Sequence, residues 1–387
     1  MRKLFYFACL IVCLGGCTEQ GDNLLDLAKN KLTAYKGDMN ISCFVYRDVN
    51  RNGVYDLNDR PYSGLRFTLE RPDRDPALGS SNIAGFANFN MSLNNTDKPI
   101  ATPGIYKVIA KPRGDWQVTS GNLEQHLEIK EMQGSPGGLV ATKTLVPLGV
   151  APVLSISGQI ELSADDDMQD YRIVATSFDG TSAEVEPIKG GKFSLPASPG
   201  EWQVALVTSD GTQLSRSILV GDYPVLMSGF SPHKEYSGSQ YRARTVGFDE
   251  LTQSDTLYEI PNGYGGLNWH NWISTHQKFY QGSGYINATV SGEFLAYNSS
   301  GHPATVSSDN NFDLHGFYIG VAWPKAELSD VLITAWRNDE IAYRDHFRLT
   351  TTGPVWFAAD YKNITRIEFS TEKYWQLVID DLNYSQQ

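Results

Sequence analysis

The sequence predicts an all-β protein made of tandem β-sandwiches. Three observations lead there. Short runs rich in Val, Ile, Thr, Tyr and Phe recur between Gly, Pro and Asn turns along most of the chain. A pattern of a Gly-rich turn and Phe-containing strand, then Pro-Gly and an aromatic strand, occurs twice, at residues 85–89 with 103–108 and at 190–195 with 199–204. Finally, a twelve-residue acidic loop, residues 48–59, is entered and left by strand patterns, with no helix on either side.

The chain opens with Arg2 and Lys3, then an apolar run over residues 4–14 and Gly15-Gly16-Cys17. A basic start, a short apolar core and small residues describe a secretory signal over residues 1–16. The run is too short to span a bilayer. Leu14-Gly15-Gly16-Cys17 resembles the lipobox of bacterial lipoproteins. That resemblance implies cleavage before Cys17, acylation of Cys17 and a membrane partner through the lipidated N-terminus. In Gram-negative lipoproteins an aspartate after the cysteine favours inner-membrane retention. Thr18 stands there instead, which points to the outer membrane or cell surface. The alternative is an ordinary secretory signal with an incidental Cys17. Cys9 and Cys13 leave with the signal, so Cys43 is the one thiol left in a lipidated mature chain, and no internal disulfide can form. Residues 17–36 read as a tether.

The formal net charge is −12, and loss of Arg2 and Lys3 makes the mature chain two units more negative. That balance excludes nucleic acid as a partner class.

Residues 37–150 form the first expected module, with strands at 41–46, 65–70, 85–93, 103–112 and 127–129. In the loop, Asp48, Asn50, Asn52, Asp56 and Asp59 occupy positions 1, 3, 5, 9 and 12, Gly53 occupies position 6, and Val54 offers its carbonyl from position 7. That spacing is the pattern of a calcium loop, because alternate residues of a tight turn aim hard oxygens inward. The other reading is a solvated Asn-Gly turn. Taken with G-L-x-F-x-L at 64–69, G-F-x-N-F at 85–89, P-G-x-Y-x-V at 103–108 and T-S-G-N at 119–122, the stretch resembles the serine-aspartate-repeat protein B domain. The resemblance implies a calcium-stiffened, prealbumin-like sandwich whose ligands are Asp48, Asn50, Asn52, Val54, Asp56 and Asp59. Two positions depart from the family. Tyr46-Arg47 stands where it favours Trp or Phe and a small polar residue, a change expected to matter little. Asp59 replaces the usual Glu, which bears on calcium affinity.

Residues 151–229 repeat the grammar in shorter form and imply a second prealbumin-like, Cna-B-like sandwich. Residues 230–244 are polar and aperiodic and read as a linker. Residues 245–387 hold six of the eight tryptophans. Strands are expected at 285–289, 293–297, 312–314, 317–322, 330–336, 341–349, 364–370 and 375–382, with no helix of useful length. V-G-F-D-E-L at 246–251, N-G-Y-G-G-L-N-W at 262–269 and W-x-L-x-I-D-D-L at 375–382 resemble a jelly-roll module of the galactose-binding-like, carbohydrate-module type.

In such a jelly roll the first and last strands lie close. Asp249 and Glu250 would then meet Asp380 and Asp381 around a second calcium, unless one residue of each pair faces solvent. Tyr264, Asn268, Trp269 and Trp272 lie in a Gly- and Asn-rich stretch and read either as a sugar-stacking platform or as packing residues. No nucleophile elbow, H-E-x-x-H, phosphate loop or Cys-His pairing appears, so catalysis is not expected. The reading is a lipid-anchored, calcium-binding surface protein, two modules serving as stalk and the third as a head that binds glycan or another surface ligand. The alternatives are a structural or assembly subunit meeting another envelope protein, and a glycan-active hydrolase.

Overall fold

The computed structural model describes residues 40–72, 74–90, 102–133, 139–163, 167–188, 190–236, 243–252, 254 and 256–386. The signal, Cys17 and the tether lie outside them. Among the described residues, no helix is long and apolar enough to cross a membrane.

The expected all-β class is what folds, as packed sheets in three modules. In module one the strand Asn40–Arg47 is shared along its length. Its first half pairs antiparallel with Phe86–Asn90, and its second half pairs parallel with Leu148–Pro152 and antiparallel with Arg60–Pro61. Alternation explains the division of faces, since Ile41, Cys43 and Val45 all point into the core. The opposing sheet runs Arg74–Ser80, Arg66–Arg71, Gly104–Lys111, Glu124–Glu131, Leu139–Ala141. It contributes Phe67, Leu69, Tyr106, Val108, Leu127 and Ile129 from its inner face. Cys43 is free and buried, and burial pushes its thiol up to about 11, so it packs as a small apolar side chain.

Module two follows without a spacer. One sheet is Ser182–Val185, Tyr171–Ser177, Gly200–Thr208, Gln213–Val220. The other is Lys192–Pro196, Ser155–Gln159, Val225–Met227. Trp202, Val204 and Leu206 alternate inward, as the Pro-Gly-aromatic pattern requires.

Module three is built on two long antiparallel strands, Ala304–Val321 and Val355–Thr371, flanked by Asp330–Arg337 and Leu377–Gln386. The strands expected at 312–314 and 317–322 are parts of the first, which bends at register shifts between Ser307 and Gly316. The strand expected at 285–289 is instead the end of a short helix, Ser283–Ala288. Packing overrides the β-rich sequence here. Gly284 lies so close to the 321–322 backbone that a Cβ there would stand 2.0 Å from the Val321 carbonyl oxygen.

The modules are welded together, which corrects the picture of a stalk carrying a separate head. Val225–Met227 pairs parallel with Val355–Thr371, so one sheet runs from module two into module three. Ala358 accordingly belongs to the apolar core of module two. The start of the expected linker is part of this junction. Phe230 is fully buried, and the Tyr236 hydroxyl donates to Gly229 O at 2.7 Å while accepting from Ser231 N at 2.7 Å.

Modules one and three meet through buried polar contacts. Arg47 is 3% exposed and donates to Asn287 O at 3.0 Å and Thr289 O at 2.8 Å. Asn287 in turn accepts from Ser63 N at 3.1 Å and donates to Ser63 O at 2.9 Å. These bonds satisfy carbonyls that burial would otherwise leave unpaired. The Arg47 departure from the B-domain pattern therefore matters greatly, because it is a main tie between modules.

Candidate functional site

The acidic loop folds around its own carboxylates. Asp48 is 1% exposed and accepts from Asn52 N at 3.2 Å and Gly53 N at 2.7 Å. Asp59 accepts from Val49 N at 3.0 Å and Asp56 N at 2.9 Å. The amides of Asn50 and Asn52 converge on Asp56 Oδ2 at 2.7 and 3.0 Å. Gly53 has φ +76° and its Cβ position lies 3.0 Å from Thr119 O, so only glycine takes this turn without strain. The loop's own cation, Arg51, is turned away, donating to Pro152 O at 2.9 Å. The negative field is felt next door. Burial first, and then Asp48, Asp59 and Asp56, push the Tyr46 phenol up to about 12. Among the described residues, no group of three or more His, Cys, Asp or Glu side chains is placed to hold a metal, in this loop or elsewhere. A cation here would therefore draw on Asn50, Asn52 and the Val54 carbonyl beside the acids.

The acids expected to form a second calcium site do come together in part. Asp249 accepts from Glu293 N at 2.6 Å and Phe294 N at 3.2 Å. Asp380 accepts from Val290 N at 2.8 Å and Ser291 N at 3.1 Å, and Asp381 accepts from Ser291 Oγ at 2.8 Å. Asp381 has φ +48° at a register slip, which is why two consecutive acids approach the same loop. Glu250 is exposed and does not join them. The cation facing this cluster is Arg60 of module one, whose charge acts on Asp249, Asp380 and Asp381 and whose Nη1 donates to Gly292 O at 2.5 Å. Burial, and then the neighbouring Asp381, hold the Asp380 carboxyl well above its usual range. Backbone amides and the Arg60 guanidinium bind this cluster, which also joins module one to module three.

Of the two readings of the tryptophan stretch, the structure matches packing and not an exposed sugar platform. Trp272 is fully buried and Trp269 is 5% exposed. Asn271 between them has φ +62°, and this one left-handed residue breaks the alternation so that both rings enter the same core. Trp269 packs edge-on against Phe248 and Trp272, and Trp272 edge-on against Phe369 at 5.0 Å. Their indole nitrogens are committed, Trp269 Nε1 to Tyr264 O at 2.9 Å and Trp272 Nε1 to Thr305 O at 3.1 Å. The Tyr264 hydroxyl donates to Gly247 O at 2.6 Å, and Asn268 sits half-buried in the strand Asn268–His270.

A cleft that sequence reasoning missed opens where modules one and three meet. It encloses about 690 Å³, with Arg66, Lys111 and Arg113 on one wall and Gln281, Trp323 and Thr351 on the other. Trp323 is held in place: its Nε1 donates to Gln376 Oε1 at 2.5 Å, and it meets Tyr280 and Tyr285 edge-on at 5.7 and 5.5 Å. No local pattern marks such a site, because its walls come from segments about two hundred residues apart.

These features define a multi-module, all-β protein whose modules share buried polar junctions. No family model matches the chain. It is 24% identical over 250 residues to the serine-aspartate repeat-containing protein F of Staphylococcus epidermidis, a stretch covering 60% of this chain and 13% of that protein. The chain thus spans about an eighth of that relative's length. Among solved structures, the Bacillus anthracis TIE protein aligns over 84% of this chain and 51% of its own, at 9% identity and a TM-score of 0.22. The CBM51-2 and INT domains of Clostridium perfringens ZmpB, in complex with GlcNAc, align over 59% of this chain and 48% of theirs, at 16% identity and a TM-score of 0.23.

Proposed function

We propose that this chain is a non-catalytic, glycan-binding protein of the bacterial cell surface, anchored through acylated Cys17 and stiffened by calcium. The observation that carries the binding role is the preformed cleft between modules one and three, with the fixed indole of Trp323 in one wall. Ligand sites favour concave junctions between domains, where a rigid scaffold holds the lining groups in place. A glycan screen on the full chain tests this reading. Retention of a defined saccharide class supports it. Silence across neutral and acidic polysaccharides, with tight capture of one envelope protein, would replace it with an assembly role.

Calcium is proposed for the loop on the chemistry of its donors. Three carboxylates, two amide side chains and a carbonyl supply the hard oxygens calcium prefers, and Arg51, the loop's own cation, makes its hydrogen bond to Pro152 O and not to these acids. When bound, the ion would neutralise that charge and pin one end of a module that has no disulfide. At calcium about 100-fold above its dissociation constant, the gain should be about 2.7 kcal/mol. Chelation is expected to lower the melting temperature of the wild type and leave Asp48→Ala unmoved. Identical wild-type melting curves with calcium and with chelator would refute the site.

A further inference from the structure

We infer that the cleft between modules one and three takes an acidic saccharide, its carboxylate seated between Arg66 and Lys111 and a pyranose ring resting near Trp323. The inference deepens the glycan-binding reading and rests on it. Arg66 and Lys111 are direct cross-strand partners on the sheet of module one, and both line the cleft. Like charges placed directly opposite destabilise an antiparallel pair. Neither has an ion-pair partner among the described residues. That is unexpected in a chain of net charge −12, where a counter-carboxylate would be easy to supply.

The acid that does line the cleft is already neutralised. Glu327 pairs with Arg113 at 2.5 Å, and its second oxygen accepts from Thr351 N at 2.8 Å and Thr351 Oγ1 at 2.7 Å. Arg113 is shared further with Asp115 at 3.4 Å. At one end of the cleft Arg113 is therefore fully committed to two carboxylates, and the Arg66–Lys111 end carries a net positive charge. A bound anion would relieve their repulsion and gain charge-assisted hydrogen bonds. The rest of the lining suits a sugar. Gln281 offers an amide donor and acceptor, Asn82 offers its amide N–H groups while its Oδ1 accepts from Ala84 N and Phe86 N, and the partly exposed Trp323 offers an indole against which the C–H face of a pyranose can lie.

The test is titration calorimetry on the full chain with oligogalacturonate, a sulfated chondroitin oligosaccharide, neutral lactose and polyglutamate as probes. The double variant Arg66→Ala/Lys111→Ala serves as the control, since both side chains are exposed and its melting temperature should match or exceed the wild type. We expect an acidic saccharide to bind, to weaken with salt, and to lose about tenfold or more in affinity in the double variant. Tighter binding of the carboxylated than of the sulfated probe supports the seated carboxylate, and the reverse preference would overturn it. Equal binding of lactose and the acidic probes, or unchanged affinity in the double variant, would overturn the inference while leaving glycan binding intact. Binding of polyglutamate alone would overturn the saccharide assignment, and no binding to any saccharide would overturn both readings.

Discussion

Replacing Arg216 with alanine should lower the stability of the module two–three junction by about 3–5 kcal/mol, because it leaves a buried carboxylate without its cation. Arg216 is 3% exposed. Its Nε and Nη2 donate to Asp360 Oδ2 at 3.1 and 2.5 Å, its Nη2 also reaches Ala358 O at 2.9 Å, and its Nη1 donates to Ser228 O at 3.1 Å. The guanidinium also lies over the Tyr236 ring at 4.5 Å. Burial pushes the Asp360 carboxyl up and Arg216 opposes it, so the variant's carboxyl should rise further. The sign follows from linkage. A carboxyl whose folded pKa exceeds its unfolded one favours folding at low pH and loses that contribution as pH rises. The deficit of Arg216→Ala should therefore shrink on acidification towards the ordinary carboxylate range. Urea unfolding followed by tryptophan fluorescence at several pH values reads both effects. A loss below about 1 kcal/mol, the level of an exposed ion pair, would show that the junction does not depend on this contact.

Trp272→Ala should be similarly costly, at about 3–5 kcal/mol, since it removes a fully buried ring and leaves a cavity. The Thr305 carbonyl that accepts from its indole would also lose its donor. The informative comparison is between stability and binding. At temperatures where the variant remains folded, any saccharide affinity should match the wild type, because Trp272 reaches no ligand. A variant with normal unfolding and abolished binding would restore the exposed-platform reading.

Much of the fold could be read from alternation. Val45, Phe67, Tyr106, Val108, Trp202 and Val204 face inward where their strand patterns put them. The Pro-Gly-aromatic pattern marked strands in both small modules, and the acidic loop is entered and left by strands. Alternation is interrupted at two places. Asn271 and Asp381 adopt left-handed backbone angles that re-aim the side chains beside them. The period of two then fails at the very residues given a functional reading. The helix Ser283–Ala288 was missed because Gly284 acts through a close approach to a strand distant in the sequence.

Polar residues were the least legible. Arg47 bonds a carbonyl 240 residues away, and Arg216 an acid 144 residues away. In sequence each is an unremarkable charge on a strand.

The sequence by itself determined the all-β class, the inner faces of most strands and the strands that flank the acidic loop. These follow from local rules, namely side-chain alternation and turn chemistry. Only the tertiary structure decided that the modules share a sheet and buried guanidinium ties, that Trp269 and Trp272 are core, and that a cleft with two cations unpaired among the described residues lies between modules one and three. Periodicity records which side of a strand avoids water. What that side meets depends on long-range packing, where one buried arginine or one left-handed residue changes the outcome.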